Sequence, residues 1–277
     1  MMKQFALSLA ATIAALCLTS CLQSETTIHL NKDGSGTLVE ETILGAQMMA
    51  MMDQMAAMGG AGGGKNDPLA GMFSEAKAKV RATQLGEGVI LEKNESVSKA
   101  GNKGGRATYH FADINKLKIS PGDRMKDLSP MGEMAPSKHK ASKPIDFKYA
   151  DGTLSIAMPR PKPEDEKPAT PVPDDDFHGK GAPGEQEIGM MKQMMGDMKI
   201  SFKIVIEPGI AETNATHREG NTITLIDMEM GKLFDNPEVI KKLGKVDKQD
   251  PTAAIEMMKD VPGVKFEGQK EVTVKVD

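Results

Sequence analysis

Short runs of alternating apolar and polar residues, each closed by Gly, Asn, Asp or Pro, set the strongest limit on what this chain can fold into. Thr26–Leu30 and Thr37–Leu44 flank the turn cluster Asn31-Lys32-Asp33-Gly34-Ser35-Gly36, which predicts a hairpin with a multi-residue loop. Ile145–Ala150 and Thr153–Met158 flank Asp151-Gly152, a two-residue loop that signals a tight hairpin. Gly88–Lys93 and Arg106–Phe111 read as strands joined across a Gly-rich turn at 101–105. Ile114–Leu117 reads as a short turn. Ile200–Ile206 alternates and is turned by Pro208-Gly209. Ile210–Ala215 and Thr222–Ile226 are expected to pair across Arg218–Asn221, and Lys270–Val276 is the last strand. The lack of a regular strand–helix–strand repeat with a Gly-rich first loop argues against a doubly wound sheet. The expectation is an α+β fold, one antiparallel β-sheet built from hairpins and covered by Met-rich and C-terminal helices.

The helices are marked by methionine, of which the chain has 22 in 277 residues. Between Gly45 and Met58 the period changes to that of a helix, with Met48, Met51, Met52, Met55 and Met58 recurring and Ala between them. Gly59–Gly64 ends it. Residues 69–85 form the next helix, with Phe73, Ala76, Val80 and Leu85 along one side. Gln186–Met198 is a second Met-rich helix, on which Met191, Met194, Met195 and Met198 share a face. Helices at about 237–243 and at Pro251–Met258 complete the set. Residues 120–143 read as loop. The Pro-rich, acidic stretch at 159–185 is too poor in apolar side chains to repay ordering, and reads as an insertion into a single domain spanning 21–277.

The first residues have a different purpose. Met1-Met2-Lys3 precedes an almost wholly apolar run, Phe5–Leu18, and then Thr19-Ser20-Cys21. A cationic end, an apolar segment and a small residue before a cleavage point make an export signal. Phe5–Leu18 is shorter than the roughly 20 residues that span a bilayer. The stretch resembles the lipobox of bacterial lipoproteins, which implies cleavage after residue 20 and acylation of Cys21. Cys17 is the poorer acceptor, with bulky Leu16 before it. Leu22 rather than Asp follows Cys21, which for a proteobacterial lipoprotein implies the outer membrane, with the domain in the periplasm.

Removing residues 1–20 takes Lys3 away and changes the formal net charge from −4 to −5. That acidity argues against nucleic acid and against electrostatic adhesion to anionic lipid. Cys17 is discarded and Cys21 carries lipid, so the mature chain has no disulfide, no thiolate nucleophile and no thiolate metal site. Stability falls to a packed core or to assembly.

Few residues point to chemistry. Thioethers suit Cu(I), but methionine is foremost a flexible apolar filler, useful on surfaces that bind varied partners. Packing is thus the first reading of the Met stripes, and a pliable apolar face made of Met48, Met51, Met52, Met55, Met191, Met194, Met195 and Met198 is the second. Copper is the third, since His29, His110, His139, His178 and His217 are scattered in sequence. Asn31, Asp33 and Ser35 resemble part of a calcium loop, but Thr42 stands where an EF-hand needs Glu, and strands flank it. Asp174–Asp176 reads as a solvated acidic run. Glu40 and Glu41 are neighbours in a strand, so one faces each side. No nucleophile elbow, zinc-binding helix motif or phosphate-cradling Gly loop is present.

Two stretches resemble the LppM-like domain family of bacterial envelope lipoproteins. One is Ile28–Thr37 with its Asp33-Gly34-Ser35-Gly36 turn. The other is Lys199–Pro208 with Gly209, Asn214 and the run to Leu225. The resemblance implies an α+β domain beside a membrane anchor, meeting lipids or glycolipids, and it transfers no catalytic residue. The expectation is a lipid-anchored, non-enzymatic binding or assembly module without a cofactor. Its partners are the membrane through the anchor, a lipid or envelope protein, or its own copy. The alternatives are a structural envelope lipoprotein, a Met-based copper protein and an unrecognised hydrolase.

Overall fold

The computed structural model describes residues 22–57, 71–120, 143–159, 184–243 and 257–277. Cys21, the export signal, the glycines at 59–64, Asp174–Asp176 and nearly all of the expected insertion lie outside them.

Strands β1 (Leu22–Leu30) and β2 (Gly36–Leu44) form the first hairpin, in register from Leu22 opposite Leu44 to Leu30 opposite Gly36. The Asn31–Ser35 loop closes on itself. Asp33 Oδ1 accepts hydrogen bonds from Ser35 N at 3.0 Å and Ser35 Oγ at 2.6 Å, so these oxygens serve a turn. Strands β3 (Ile90–Lys99) and β4 (Asn102–Phe111) form the second hairpin, and β4 pairs with β2. Both strands are longer than the sequence pattern implied, and only Ala100-Gly101 turns between them, both at positive φ. The expected turn at 101–105 is therefore mostly strand. Its glycines serve close approach: a Cβ on Gly104 would collide with the Thr42 carbonyl, and one on Gly105 would lie 2.6 Å from the Phe73 ring.

Strands β5 (Asp146–Ala150) and β6 (Thr153–Ala157) meet across Asp151-Gly152, with φ of 51° and 71°, as a tight hairpin requires. Strands β7 (Lys199–Ile206), β8 (Ile210–Thr213), β9 (Arg218–Glu219), β10 (Thr222–Glu229), β11 (Val264–Phe266) and β12 (Glu271–Val276) follow. The described helices are α1 (Ala46–Ala57), α2 (Glu75–Gln84), α3 (Glu185–Met195), α4 (Met230–Phe234) and α5 (Pro237–Leu243). Helix α3 stops before Met198 because Gly196 and Asp197 turn the chain into β7. Residues 257–258 are helical, and the rest of the helix expected at 251–258 lies outside the described residues.

The strands make an α+β fold with two sheets where one was expected. The larger runs β11-β10-β7-β1-β2-β4-β3, with β9 on β10, and the smaller runs β5-β6-β12-β8. Among the described residues all strand pairings are antiparallel except one: β1 and β7 run parallel from Gln23 beside Lys199 to Leu30 beside Ile206. Ile210–Ala215 and Thr222–Ile226 do not pair with each other. After Pro208-Gly209 the chain crosses to the smaller sheet, where β8 pairs with β12, while β10 returns to β7 in the larger one. The crossing buries Ile210 in the core between the sheets.

The core sits where the sheets face each other. Ile28, Leu30, Leu38, Phe111, Ile204 and Ile206 from the larger sheet meet Phe147, Leu154, Ile156, Val272 and Val274 from the smaller one. Each such side chain contributes about 1.5–3 kcal/mol on full burial. These residues cluster toward the Leu30 end of β1. Tyr149 locks that end, its hydroxyl donating to the Lys32 carbonyl at 2.6 Å. Burial, and then the Asp33 charge, raise the Tyr149 pKa above its ordinary value.

Gly104→Ala is expected to lower stability by about 1–3 kcal/mol or more, because the added methyl meets backbone that cannot move aside. Gly189→Ala, inside α3 with open space around it, is expected to raise the stability of that helix by about 0.5–1 kcal/mol. Thermal unfolding, with amide exchange across α3, checks both.

Candidate functional site

The strand register gathers α1, α3 and α4 at one end of the larger sheet. Leu22 starts β1, Leu44 ends β2 beside it, Lys199 starts β7 and Glu229 ends β10 opposite Lys199. Helix α1 follows β2 at once, α3 leads into β7, and α4 leaves β10 directly. This Leu22 end lies opposite the Leu30 end where the sheets close over each other.

A second apolar cluster builds the helical end. Ile188 of α3, Leu233 and Phe234 of α4, Ile240 of α5, and Val261 and Val264 are buried together, with Met195, Met228, Met230 and Met258 packed against them. Helix α3 packs on α4 and α5. Gly196 and Gly231 allow this: a Cβ on Gly231 would fall on the Gly196 backbone. Met230 N then donates to the Met198 carbonyl at 2.9 Å. Lys192 and Asp235 bridge α3 and α4 at 2.6 Å, and hydrogen bonding from Lys192 holds Asp235 below its ordinary carboxylate range. Being half exposed, this pair adds little to stability. On the sheet, Lys199 stands 3.2 Å from Glu229 and 3.8 Å from Asp227. Burial pulls its pKa down, but the Asp227 and Glu229 charges outweigh that and raise it.

The expected Met face divides in two. Met195 is half-buried against the second cluster, and Met198 is half-buried at the junction with β7. Met191 is 39% exposed, and Met190, which falls opposite Ile188 on the helix, is 65% exposed. Met257, beside the packed Met258, is 39% exposed. On α1, Met48 and Met52 are half-buried. Met51, Met55 and Met194 belong to these helices, but their side chains lie outside the described set. Sequence periodicity places Met191 with Met195 and Met198; it does not single out Met190 and Met257. The signal for Met190 is its helical offset from Ile188, which becomes informative only once Ile188 is known to point inward.

A polar column, unmarked in the sequence, crosses the inner face of the larger sheet. Ser24 lies opposite Thr42 and Thr26 opposite Glu40, all buried. Arg81 of α2 reaches Glu40, its Nη2 donating to Oε1 at 3.0 Å and its Nε at 3.3 Å. Glu41 faces the other way and pairs with Arg106. The two carboxylates thus occupy opposite faces, as neighbours in a strand must.

Each of the described histidines has its own surroundings. His29 pairs with Glu207 at 2.7 Å, and His217 contacts the Phe266 carbonyl at 3.2 Å. His110 lies on the outer face across Thr37 from His29. His139 and His178 lie outside the described residues. Among the described residues no group of three or more His, Cys, Asp or Glu is arranged to hold a metal. Two open hollows lie on the surface, one lined by Thr153, Glu212, Asn214 and Lys275, the other by His29, Asn31, Thr37, Val39 and Glu207. Neither lies among the Met-rich helices. No helix among the described residues is long and apolar enough to cross a membrane.

No family model matches the chain, and no curated protein matches it. Among solved structures it is similar to the folded domain of the LppM protein of Mycobacterium tuberculosis, determined by NMR. Identity is 8%, the match covers 77% of this chain and 85% of that one, and the TM-score is 0.31. A likeness of that size assigns neither family nor function.

Two substitution pairs test the site's construction. Glu40→Ala is expected to cost about 3–5 kcal/mol, because it strands the buried Arg81 charge, whereas Glu41→Ala costs about 1 kcal/mol or less. Ile188→Ala is expected to cost about 2–5 kcal/mol, whereas Met190→Gln stays within about 0.5 kcal/mol. Denaturant unfolding of each variant reads these differences.

Proposed function

We propose that this protein is a lipid-anchored component of a bacterial envelope, held at the membrane by acylated Cys21, whose domain works as a non-catalytic binding module. Its working surface is the helical end of the larger sheet. The observation that supports this reading is the pair of roles within α3: Ile188 and Met195 supply the packing the fold needs, while Met190 and Met191 point apolar surface outward. An apolar side chain left in water is informative when several gather on one surface rather than standing singly. The two hollows described above are open and lie away from α3, so a flat apolar face that meets an extended surface fits these methionines better than a cavity for one small ligand.

Expression of the full chain in a Gram-negative host tests the anchor. The expected result is a mature N-terminus at Cys21 with acyl mass on that residue, in the membrane fraction. Cys21→Ser should move the protein to the soluble fraction. An unmodified Cys21, or a Cys21→Ser variant that stays with the membrane, would overturn the anchored reading.

A further inference from the structure

We propose that the helical end of the domain lies directly on the membrane that holds its anchor, so that the occupant of the exposed methionine face is the lipid leaflet itself. This rests on the acylation of Cys21 proposed above.

The argument begins with the length of chain between anchor and domain. Strand β1 already begins at Leu22, and Leu22 is buried in register with Leu44. Cys21 is one peptide unit away, about 3.8 Å between Cα atoms. An acyl chain on Cys21 enters the bilayer at that point, so the sheet edge bearing Leu22 is carried to the headgroup level. Helices α1, α3 and α4 are at the same end, because α1 leaves β2 at the residue after Gly45, and α3 and α4 attach at Lys199 and Glu229.

Chemistry agrees with this placement. Of the exposed large apolar side chains among the described residues, Met190, Met191 and Met257 belong to this end, while Val80 stands on α2 and Ile90 opens β3. Thioether side chains are unbranched and adapt to a disordered apolar surface. Apolar residues of an interfacial helix settle about 5–10 Å into the headgroup and acyl boundary. Among the nearby cations, Lys192 is paired with Asp235, Lys199 with Glu229 and Asp227, and Lys241 with Glu238, while Lys232 and Lys242 stand on α4 and α5 beside them. The proposed contact is carried by the methionines and needs no anionic lipid. The opposite end, with Gly209 and Asp277, points away from the bilayer.

The mature chain has no cysteine other than Cys21, so one introduced thiol makes a unique reporter. Full-length Met190→Cys, Met257→Cys and Ala211→Cys proteins would be purified with acylation of Cys21 verified by mass spectrometry. Each is labelled with a polarity-sensitive fluorophore and reconstituted into phosphatidylcholine vesicles. Ala211 is exposed at the Leu30 end and serves as the distant site. The expected result is blue-shifted emission at positions 190 and 257, quenched by lipid carrying a shallow spin label and unchanged by added salt, with neither effect at 211. Water-like emission at 190 and 257 in acylated protein would overturn the inference and leave the anchored reading standing. A blue shift that grows with protein concentration and resists lipid quenching would assign the face to a second copy and overturn it too. Failure to find acylated Cys21 would remove both.

Discussion

The parallel pairing of β1 with β7 is the interaction on which the rest of the structure depends. Strand β1 is flanked by β2 on one side and β7 on the other, so its backbone groups are spent on both edges along nearly its whole length. Without this pairing the larger sheet separates into a piece built from residues before 112 and a piece built from residues after 198. The pairing also sets the geometry of everything attached. A parallel neighbour starts at the same end, and this alone places Leu22 and Lys199 together and makes α3 a neighbour of the chain's first described residue. Such a contact is slow to form, because the loop closure it needs is paid before any reward arrives. The hairpins, being local, can form first and wait for it.

The two ends of the sheet are stabilised by different means. Toward Leu30 the two sheets face each other with branched and aromatic side chains, and the polar groups at the rim are absorbed by turns, as in the Tyr149 bond to Lys32. Toward Leu22 the inner face turns polar through Ser24, Thr26, Glu40 and Thr42, and Arg81 supplies charge from α2. A buried ion pair of this kind does little for stability compared with an apolar replacement, but breaking it is costly. It therefore fixes how α2 sits on the sheet. The apolar contribution at this end comes instead from the separate cluster around Ile188, Phe234 and Val264.

Much of the strand layout was legible because it is local. Asp151-Gly152 and the Asn31–Gly36 loop mark their hairpins through backbone preferences of a few residues. What escaped is non-local. Nothing near Leu22 or Lys199 in the sequence announces that they are neighbours, and Ile210–Thr213 looks like a partner for Thr222–Ile226 until the crossing at Pro208-Gly209 is seen. Gly104 and Gly105 misled for a different reason. A glycine wanted for close approach of another backbone or ring has the same letter as a glycine wanted for a turn. The Met stripes correctly announced helices, but periodicity cannot say which face a neighbour covers. Only the burial of Ile188 makes Met190 an outward residue.

The proposed contact with the leaflet also accounts for how little apolar surface this end exposes. Two or three partly exposed methionines, each worth at most about 1.5–3 kcal/mol on complete burial, would hold a free domain to a bilayer only weakly. A tether one residue long changes the problem. It makes the encounter intramolecular, with the face already at the surface, and a second weak contact then orients what the first one holds. A larger apolar patch would add little orientation and would expose the exported chain to aggregation before it reached its membrane. Under this arrangement the anchor supplies affinity and the methionine face supplies direction, leaving the Leu30 end and the smaller sheet turned toward the aqueous side.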